Sequence, residues 1–229
     1  AEGDIEFEGG RFSVAGSPEQ NVTIGDVAAA AYMAYDIPEG MEPVLSADQV
    51  FDPPNFTWPY GTHVCVVEVD TETGMVSIPK YVAVDDCGPV VNPAIVEGQL
   101  HGGITQGIGQ ALYEEAVYDE EGNLVTGTMV DYIVPGAPEV PNFTLDRTEV
   151  PSPTNPMGVK GIGESGAIAA QPAVINAVID ALSHEGVTHI DMPASPMRVW
   201  SALQAARGRD PGTRDPDLSG RPPLSGETS

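Results

Sequence analysis

Lysine is nearly missing from this chain. Of its nine basic residues only Lys80 and Lys160 are lysines, against 34 acids, and the formal net charge is −25. A surface so acidic repels phosphate backbones, which argues against any nucleic-acid partner. No run of about 18 apolar residues occurs, so no stretch reads as a transmembrane segment. Residues 1–15 are acidic and glycine-rich, without the basic start and apolar stretch of a signal peptide. Cysteine is scarce as well. Cys65 and Cys87 show no CxxC or metal-type spacing, and the expectation is two buried thiols in a reducing cytoplasm. A bridge between them across a hairpin is the weaker alternative. The four histidines, His63, His101, His184 and His189, form neither HxxxH nor HExxH, which leaves protein-ligated zinc without support. There is no P-loop and no GxSxG elbow, and "GIGES" lacks the spacing of a dinucleotide fingerprint.

What is present suits a folded protein. Its 229 residues are 41% hydrophobic, with 22 prolines and 26 glycines, enough for a real core with many turns. Acid excess can signal disorder, but apolar periodicity over residues 1–206 argues otherwise. Adaptation to high salt is the second reading: at molar ionic strength the Debye length falls to roughly 3 Å, and self-repulsion is screened.

Along the chain, residues 3–15 read as a hairpin around Gly9-Gly10. Thr23, with Asp26 three residues on, reads as the N-cap of an alanine-rich helix. Residues 37–62 are proline-rich and irregular. The clearest hairpin joins "HVCVVEVD" (63–70) to "MVSIPKYVAVDDCG" (75–88) through "TETG". A helix is predicted from Asn92-Pro93 to about Glu115, strands at 124–134 and 143–150, and a helix from Ala167 to His184. "HIDMPAS" (189–195) reads as a last strand and Pro196–Ala206 as a closing helix. The fold class is α+β, with mixed sheets and packed helices. One domain is expected over residues 1–206, followed by a disordered acidic and proline-rich tail at 207–229.

Two stretches invite a chemical reading. The helix "NPAIVEGQLHGGITQGIGQALYEE" carries five glycines, each costing about 1 kcal/mol relative to alanine. Gln99, Gly103, Gln106 and Gln110 share one of its faces. That stripe suits a polar ligand approached closely by bare backbone, or equally a close helix contact flanked by solvated glutamines. Asn92 reads first as a helix cap. The second stretch, "GVKGIGESG" (158–166), sets Glu164 among glycines beside Lys160, just before a helix N-terminus. Glu164 is either an ordinary acid near a helix start or a general base in an anion-friendly cradle.

Taken together, "HVCVVEVDTETGMV", "DDCG…VNP", "EGQLHGGITQGIGQALYEE" and "GVKGIGESGAIAAQPAVINAVIDAL" resemble the C-terminal part of the molybdenum-binding large subunit of the xanthine oxidase family. The stretch from "NLVTGTMVDY" to "GVKGIGE" is most similar to aerobic carbon monoxide dehydrogenase large subunits. The likeness covers about residues 20–205. It implies the second molybdopterin-binding domain, in part, and a molybdopterin cofactor, as the cytosine dinucleotide, carrying molybdenum. Glu164 matches the family's general base and Gln99 a glutamine bonded to the pterin; Lys160, Gly161, Ile162 and Gly163 lie in the matching cofactor loop. Cys87, Asn92 and Gln106 transfer more weakly, as residues of segments lining the cofactor.

The resemblance further implies oxidation of a small carbon substrate, carbon monoxide first, with water as oxygen source. Electrons would pass to an Fe–S small subunit and an FAD medium subunit in a dimer of heterotrimers. That assembly is expected in the cytoplasm, with any membrane association made through partners. Alternatives are an aldehyde, purine or other heterocycle hydroxylase, or a non-catalytic cofactor-docking module. A family large subunit is several times longer than this chain. The rest of that subunit is therefore an expected partner, without which the chain is expected to be inactive. The cysteine loop that binds copper in carbon monoxide dehydrogenases falls outside the stretch matched here.

Overall fold

A computed structural model describes residues 2–34, 37–46 and 48–210. The α+β class with mixed sheets is what it shows. Contacts divide the chain into two compact units, residues 1–52 and 53–229, where the sequence reading drew one domain over 1–206.

The first unit is a meander of β1 (Ile5–Glu8), β2 (Arg11–Val14) and β3 (Ser17–Thr23), followed by α1 (Ile24–Tyr32). Gly9 and Gly10 both hold positive φ, the tight turn that matches strand twist. Thr23 caps α1 in a reciprocal box with Asp26, as the sequence predicts. Strand β3 is not foreseen. Its polar residues and Pro18 read as a loop, yet an edge strand tolerates both.

The second unit carries the core. Strands β4 (Tyr60–Val69) and β5 (Val76–Asp86) form the expected hairpin, and β6 (Phe143–Thr148) adds parallel to β5. Three helices supply the apolar residues that pack against the sheet: α2 (Pro93–Leu112), α3 (Ser165–Leu182) and α4 (Pro196–Ala206). Ile104 and Ile108 of α2, then Ala170, Val174, Val178 and Leu182 of α3, recur at helical spacing and are buried with Tyr81 and Ala83 of β5. This burial also explains why Ser165–Glu185 is long and apolar enough to cross a membrane by length and composition. Its apolar stripe faces the protein core.

Two predicted strands are absent. Residues 124–134 keep one isolated bridge, Tyr118 to Leu124; beyond it Thr128 organises a turn. Its carbonyl accepts from the Asp131 and Tyr132 N–H groups, and its hydroxyl donates to Asp131. Local Thr and Asp bonding outcompetes the apolar alternation there. Residues 189–195 pair with no strand: Pro193 has no N–H, and the Ala194 N–H goes to the Ala111 carbonyl in α2. The closing helix falls at Pro196–Ala206 as predicted, and Arg207, at the start of the predicted tail, donates two bonds to Glu185. Gly208 and Arg209 also bond back to α4, and residues 211–229 of that tail lie outside the described residues.

The glycines of α2 separate into two kinds. A Cβ on Gly107 would sit 2.5 Å from the Ala170 Cβ, and one on Gly103 3.0 Å from the Ala167 nitrogen. Gly98 and Gly102 face open space. Gly102→Ala is therefore expected to raise the melting temperature, through a helix-propensity gain of about 0.5–1 kcal/mol. Gly107→Ala is expected to lower it, by overpacking worth about 1–3 kcal/mol. Thermal unfolding of the two variants checks this; a stabilised Gly107→Ala would contradict the tight α2–α3 contact.

Candidate functional site

Helix α3 starts where glycine lets two backbones touch. A Cβ on Gly166 would lie 2.9 Å from both the Ile104 nitrogen and the Leu100 oxygen, so only hydrogen fits there. This contact fixes the first turn of α3 on the middle of α2. One turn back on α2 sits Gln99, whose Oε1 is 3.7 Å from the Cβ position of Gly163. The α2–α3 contact thus brings Gln99 and the glycine loop together, although 64 residues separate Gln99 from Gly163 in the sequence.

Glu164 occupies the N-cap position of α3, but its side chain makes no cap bond and is exposed. Among the described residues, the N–H groups of Gly161, Ile162, Gly163 and Glu164 meet no acceptor. They adjoin the unsatisfied first turn of an 18-residue helix, where the dipole favours negative charge. Beside them the Ser165 hydroxyl is buried with no partner, a state that costs about 1–3 kcal/mol. Chemically the surface offers a row of free donors, an amide and a solvent-facing carboxylate, with the orphaned Ser165 hydroxyl buried behind them.

Lys160 is placed differently from its expected role. Its ammonium lies 2.6 Å from Asp86 Oδ1 and 4.9 Å from the centre of the Tyr60 ring, and both members of the ion pair are buried. Asp86 also accepts from the Val150 N–H (2.6 Å), the Gly88 N–H (3.1 Å) and the Thr148 hydroxyl (3.2 Å). Burial by itself would push the Asp86 carboxyl up. The Lys160, Val150, Gly88 and Thr148 donors outweigh it, and the pKa lies below the ordinary carboxylate value. The cradle around Glu164 therefore draws on backbone dipoles, with its one lysine already paired.

On the core face of the same hairpin, His63 Nδ1 lies 2.8 Å from the Tyr81 hydroxyl, and His63 Nε2 lies 3.1 Å from Asp85 Oδ2. The register pairs His63 with Ala83, so Tyr81 and Asp85 are its two diagonal neighbours. A carboxylate at Asp85 can only accept, which places a proton on Nε2. Burial pushes the Tyr81 hydroxyl well above its usual range, with Cys65 and Asp85 adding to it. This chain fastens the hairpin from inside; it is sealed from solvent.

The other predicted residues scatter. Asn92 caps α2, accepting from the Ile95 N–H at 3.2 Å. Cys87 is buried, its carbonyl bonded to the Lys160 N–H, and burial raises its thiol pKa. Both cysteines are free, and burial pushes Cys65 up to about 11. Gln106 is exposed, two turns beyond Gln99. Gln110 accepts a bond from Gln171 of α3. The stripe Gln99–Gly103–Gln106–Gln110 is accordingly in large part a helix-packing edge, and its Gln99 end alone reaches the loop. A groove of about 490 Å³ between α2 and β6, lined by Glu97, Leu100, Leu145, Asp146 and Arg147 among others, includes no residue of that loop. Among the described residues no three His, Cys, Asp or Glu side chains converge to hold a metal ion.

The sequence reading missed Asp86 and His63. Two successive acids closing an otherwise apolar strand must point to opposite faces, so at least one needs a buried partner. That was the available signal.

Comparison with known proteins places these features. Residues 1–141 match the family described as molybdopterin cofactor-binding domain. The chain is 43% identical over 203 residues to the carbon monoxide dehydrogenase large chain of Hydrogenophaga pseudoflava, covering 89% of this chain and 25% of that one. It is 44% identical over 205 residues to the nicotine 6-hydroxylase large subunit of Paenarthrobacter nicotinovorans, with the same coverages. The solved CO dehydrogenase from Oligotropha carboxidovorans superposes with a TM-score of 0.83 at 39% identity, over 90% of this chain and 26% of that one. The chain spans about a quarter of the length of these relatives.

Proposed function

The chain belongs to the molybdopterin cofactor-binding domain family, and from that premise we propose that it carries the general base of a molybdenum hydroxylase, the Glu164 carboxylate. The observation that carries the reading is Glu164. Among the described residues it is an exposed carboxylate free of internal bonds, at the start of an 18-residue helix and beside four unpaired N–H groups.

The donor set fits the cofactor. A pterin with a phosphate-bearing tail is rich in acceptors, and the loop supplies Gly161, Ile162 and Gly163 N–H groups with no Cβ over Gly161 or Gly163. Gln99 adds an amide that can both donate and accept. These residues would hold the group, and Gly161 meets open space on its exposed side. When bound, the cofactor supplies a redox metal that accepts the electron pair leaving the substrate carbon. This chain's part is a proton: a Glu164 carboxylate oxygen takes it up and later releases it to water. Lys160 adds no charge at that point, because Asp86 neutralises it.

Carbon monoxide is the substrate proposed first, with the cytosine dinucleotide form of the pterin, an Fe–S and an FAD subunit as electron acceptors, and a dimer of heterotrimers as the assembly. Copper would be held by a cysteine loop outside the stretch matched here. A second reading rests on a specific observation. Identity to the nicotine 6-hydroxylase large subunit (44%) is within one percentage point of that to the carbon monoxide dehydrogenase large chain (43%), so a heterocycle is the rival substrate. Carbon monoxide-dependent bleaching of an artificial electron acceptor by the assembled enzyme is the expected result. Bleaching by a nicotine-like heterocycle in place of carbon monoxide would overturn the first choice.

Two properties complete the proposal. Free thiols at Cys65 and Cys87 suit a reducing cytoplasm. The charge of −25, with Lys160 buried and Lys80 the lysine left at the surface, suits a concentrated-salt interior. Dialysis to low salt is expected to abolish the far-ultraviolet circular dichroism of the native fold; an unchanged spectrum would remove the halophilic reading.

A further inference from the structure

We propose that the buried Lys160–Asp86 ion pair is a positioning clamp that sets where Glu164 and its row of free N–H groups stand, with the Lys160 cation spent inside the protein and not on an anionic ligand. The inference rests on the reading of Glu164 given above, and it starts from where the loop is tied.

Coming from β6, the segment is fastened repeatedly. Val150 donates to Asp86 at 2.6 Å, Ser152 donates to the Gly158 carbonyl at 2.8 Å, and the Asn155 side chain clips Val159 on both sides, accepting its N–H at 3.1 Å and donating to its carbonyl at 2.9 Å. Gly88, at positive φ, lies so close to the Gly158 carbonyl that no Cβ fits between them. Lys160 then closes the series with two bonds, its N–H to the Cys87 carbonyl at 2.8 Å and its ammonium to Asp86 at 2.6 Å.

Beyond Lys160 the fastening stops. Gly161, Ile162 and Gly163 donate no backbone bond; the Ile162 carbonyl accepts the Ser165 N–H at a long 3.3 Å. The next firm anchors are the Glu164 carbonyl, which accepts the Ile168 N–H at 3.0 Å, and Gly166, pressed on Leu100 and Ile104 of α2. Gly161, Ile162 and Gly163 therefore bridge two fixed points, Lys160 and the first turn of α3, and Glu164 stands where that bridge meets the helix, four residues after Lys160. Four residues reach at most about 14 Å when extended. Two glycines among them give the backbone many alternatives that side chains would have removed. What selects one of them is the position of Lys160. Asp86 sets that position from the end of β5, and it holds the end of β6 through Thr148 and Val150 with the same carboxylate. One buried acid thus ties the sheet to the loop.

The test uses three measurements. The chain has two lysines, Lys80 exposed and Lys160 buried. Amine-reactive labelling of the native protein is expected to modify Lys160 at least about tenfold more slowly than Lys80, as burial in an ion pair requires; equal rates would overturn the clamp. Hydrogen exchange on Lys160→Met is expected to speed the amides of residues 88, 150, 159 and 160 at least about tenfold while Val174 and Val178 keep theirs. Uniform acceleration, core included, would mean a general loss of stability and would refute a local device.

In the assembled enzyme, Lys160→Met is expected to leave molybdenum content and KM within twofold and to lower kcat by on the order of 100-fold, the effect of a slight misplacement of the base. Loss of molybdenum with kcat per metal unchanged would show Lys160 to be a cofactor contact and end the inference. The labelling arm uses the unaltered protein and survives a variant that fails to fold. Because labelling and exchange need no cofactor, their failure leaves the Glu164 reading standing. An active Glu164→Gln enzyme would sink that reading while leaving the clamp's geometry intact.

Discussion

Glu164→Gln in the assembled enzyme is expected to collapse turnover by about 10²–10⁴-fold, the range for loss of a general base, with molybdenum content unchanged. The expectation of intact assembly comes from the surroundings of the side chain. The Glu164 side chain is exposed and makes no cap bond to α3; the residue's one tie to the helix, its carbonyl accepting the Ile168 N–H, is kept by glutamine. Glutamine keeps its size and its polar character, so the fold has no reason to notice; a stability change within about ±0.5 kcal/mol is expected for such a surface position. What glutamine cannot do is take up a proton near neutral pH. Retained turnover would end the assignment of Glu164 as base, and lost molybdenum would reassign it to holding the cofactor. Turnover measured against pH separates the two in wild type as well: a base that must be ionised gives a rate that falls on the acid side.

Asp86→Ala has the second largest expected effect, and it is one of stability. Removing one member of a buried ion pair leaves the other charged and unpaired, at a cost of about 3–5 kcal/mol. For a protein of this size each kcal/mol moves the melting temperature by about 2–4 °C, so a fall of roughly 6–20 °C is expected. Three more donors, Val150 N–H, Gly88 N–H and the Thr148 hydroxyl, lose their acceptor at the same time. The pH dependence follows from the direction of the Asp86 shift. Its pKa is lower folded than unfolded, so the stabilisation is fully present above the unfolded value, near 4. It fades as pH drops through that value toward the lower folded one. Wild type should therefore lose stability in acid more steeply than the alanine variant. Parallel acid-melting curves for the two would contradict the assignment.

Much of this architecture is legible in the residues. Capping chemistry marks Thr23 and Asn92, and both caps form. Strict alternation marks the β4–β5 hairpin, and Pro196 marks the start of α4. The two misread stretches have separate causes. Thr128 with Asp131 turns residues 124–134 away from a strand, and Pro193 denies a strand at 189–195. At the site, the loop around Glu164 and its proximity to Gln99 are legible, because glycines announce close approach. The job of Lys160 is not. A lysine in a glycine loop looks the same on paper whether it faces a ligand or an acid 74 residues away in the chain.

That separation has a consequence for how the molecule comes together. The β4–β5 hairpin is local and can close early, but β6 must return across a connection that includes all of α2, pairing Tyr81 with Phe143. Contacts so distant in sequence close late, since loop entropy is lost before they repay it. The Asp86 carboxylate can gather its distant donors, Thr148, Val150 and Lys160, only after that closure. The loop that carries Glu164 is therefore expected to settle after the hairpin, once β6 has docked. A newborn chain is thus expected to finish its hairpin before the surroundings of Glu164 take shape.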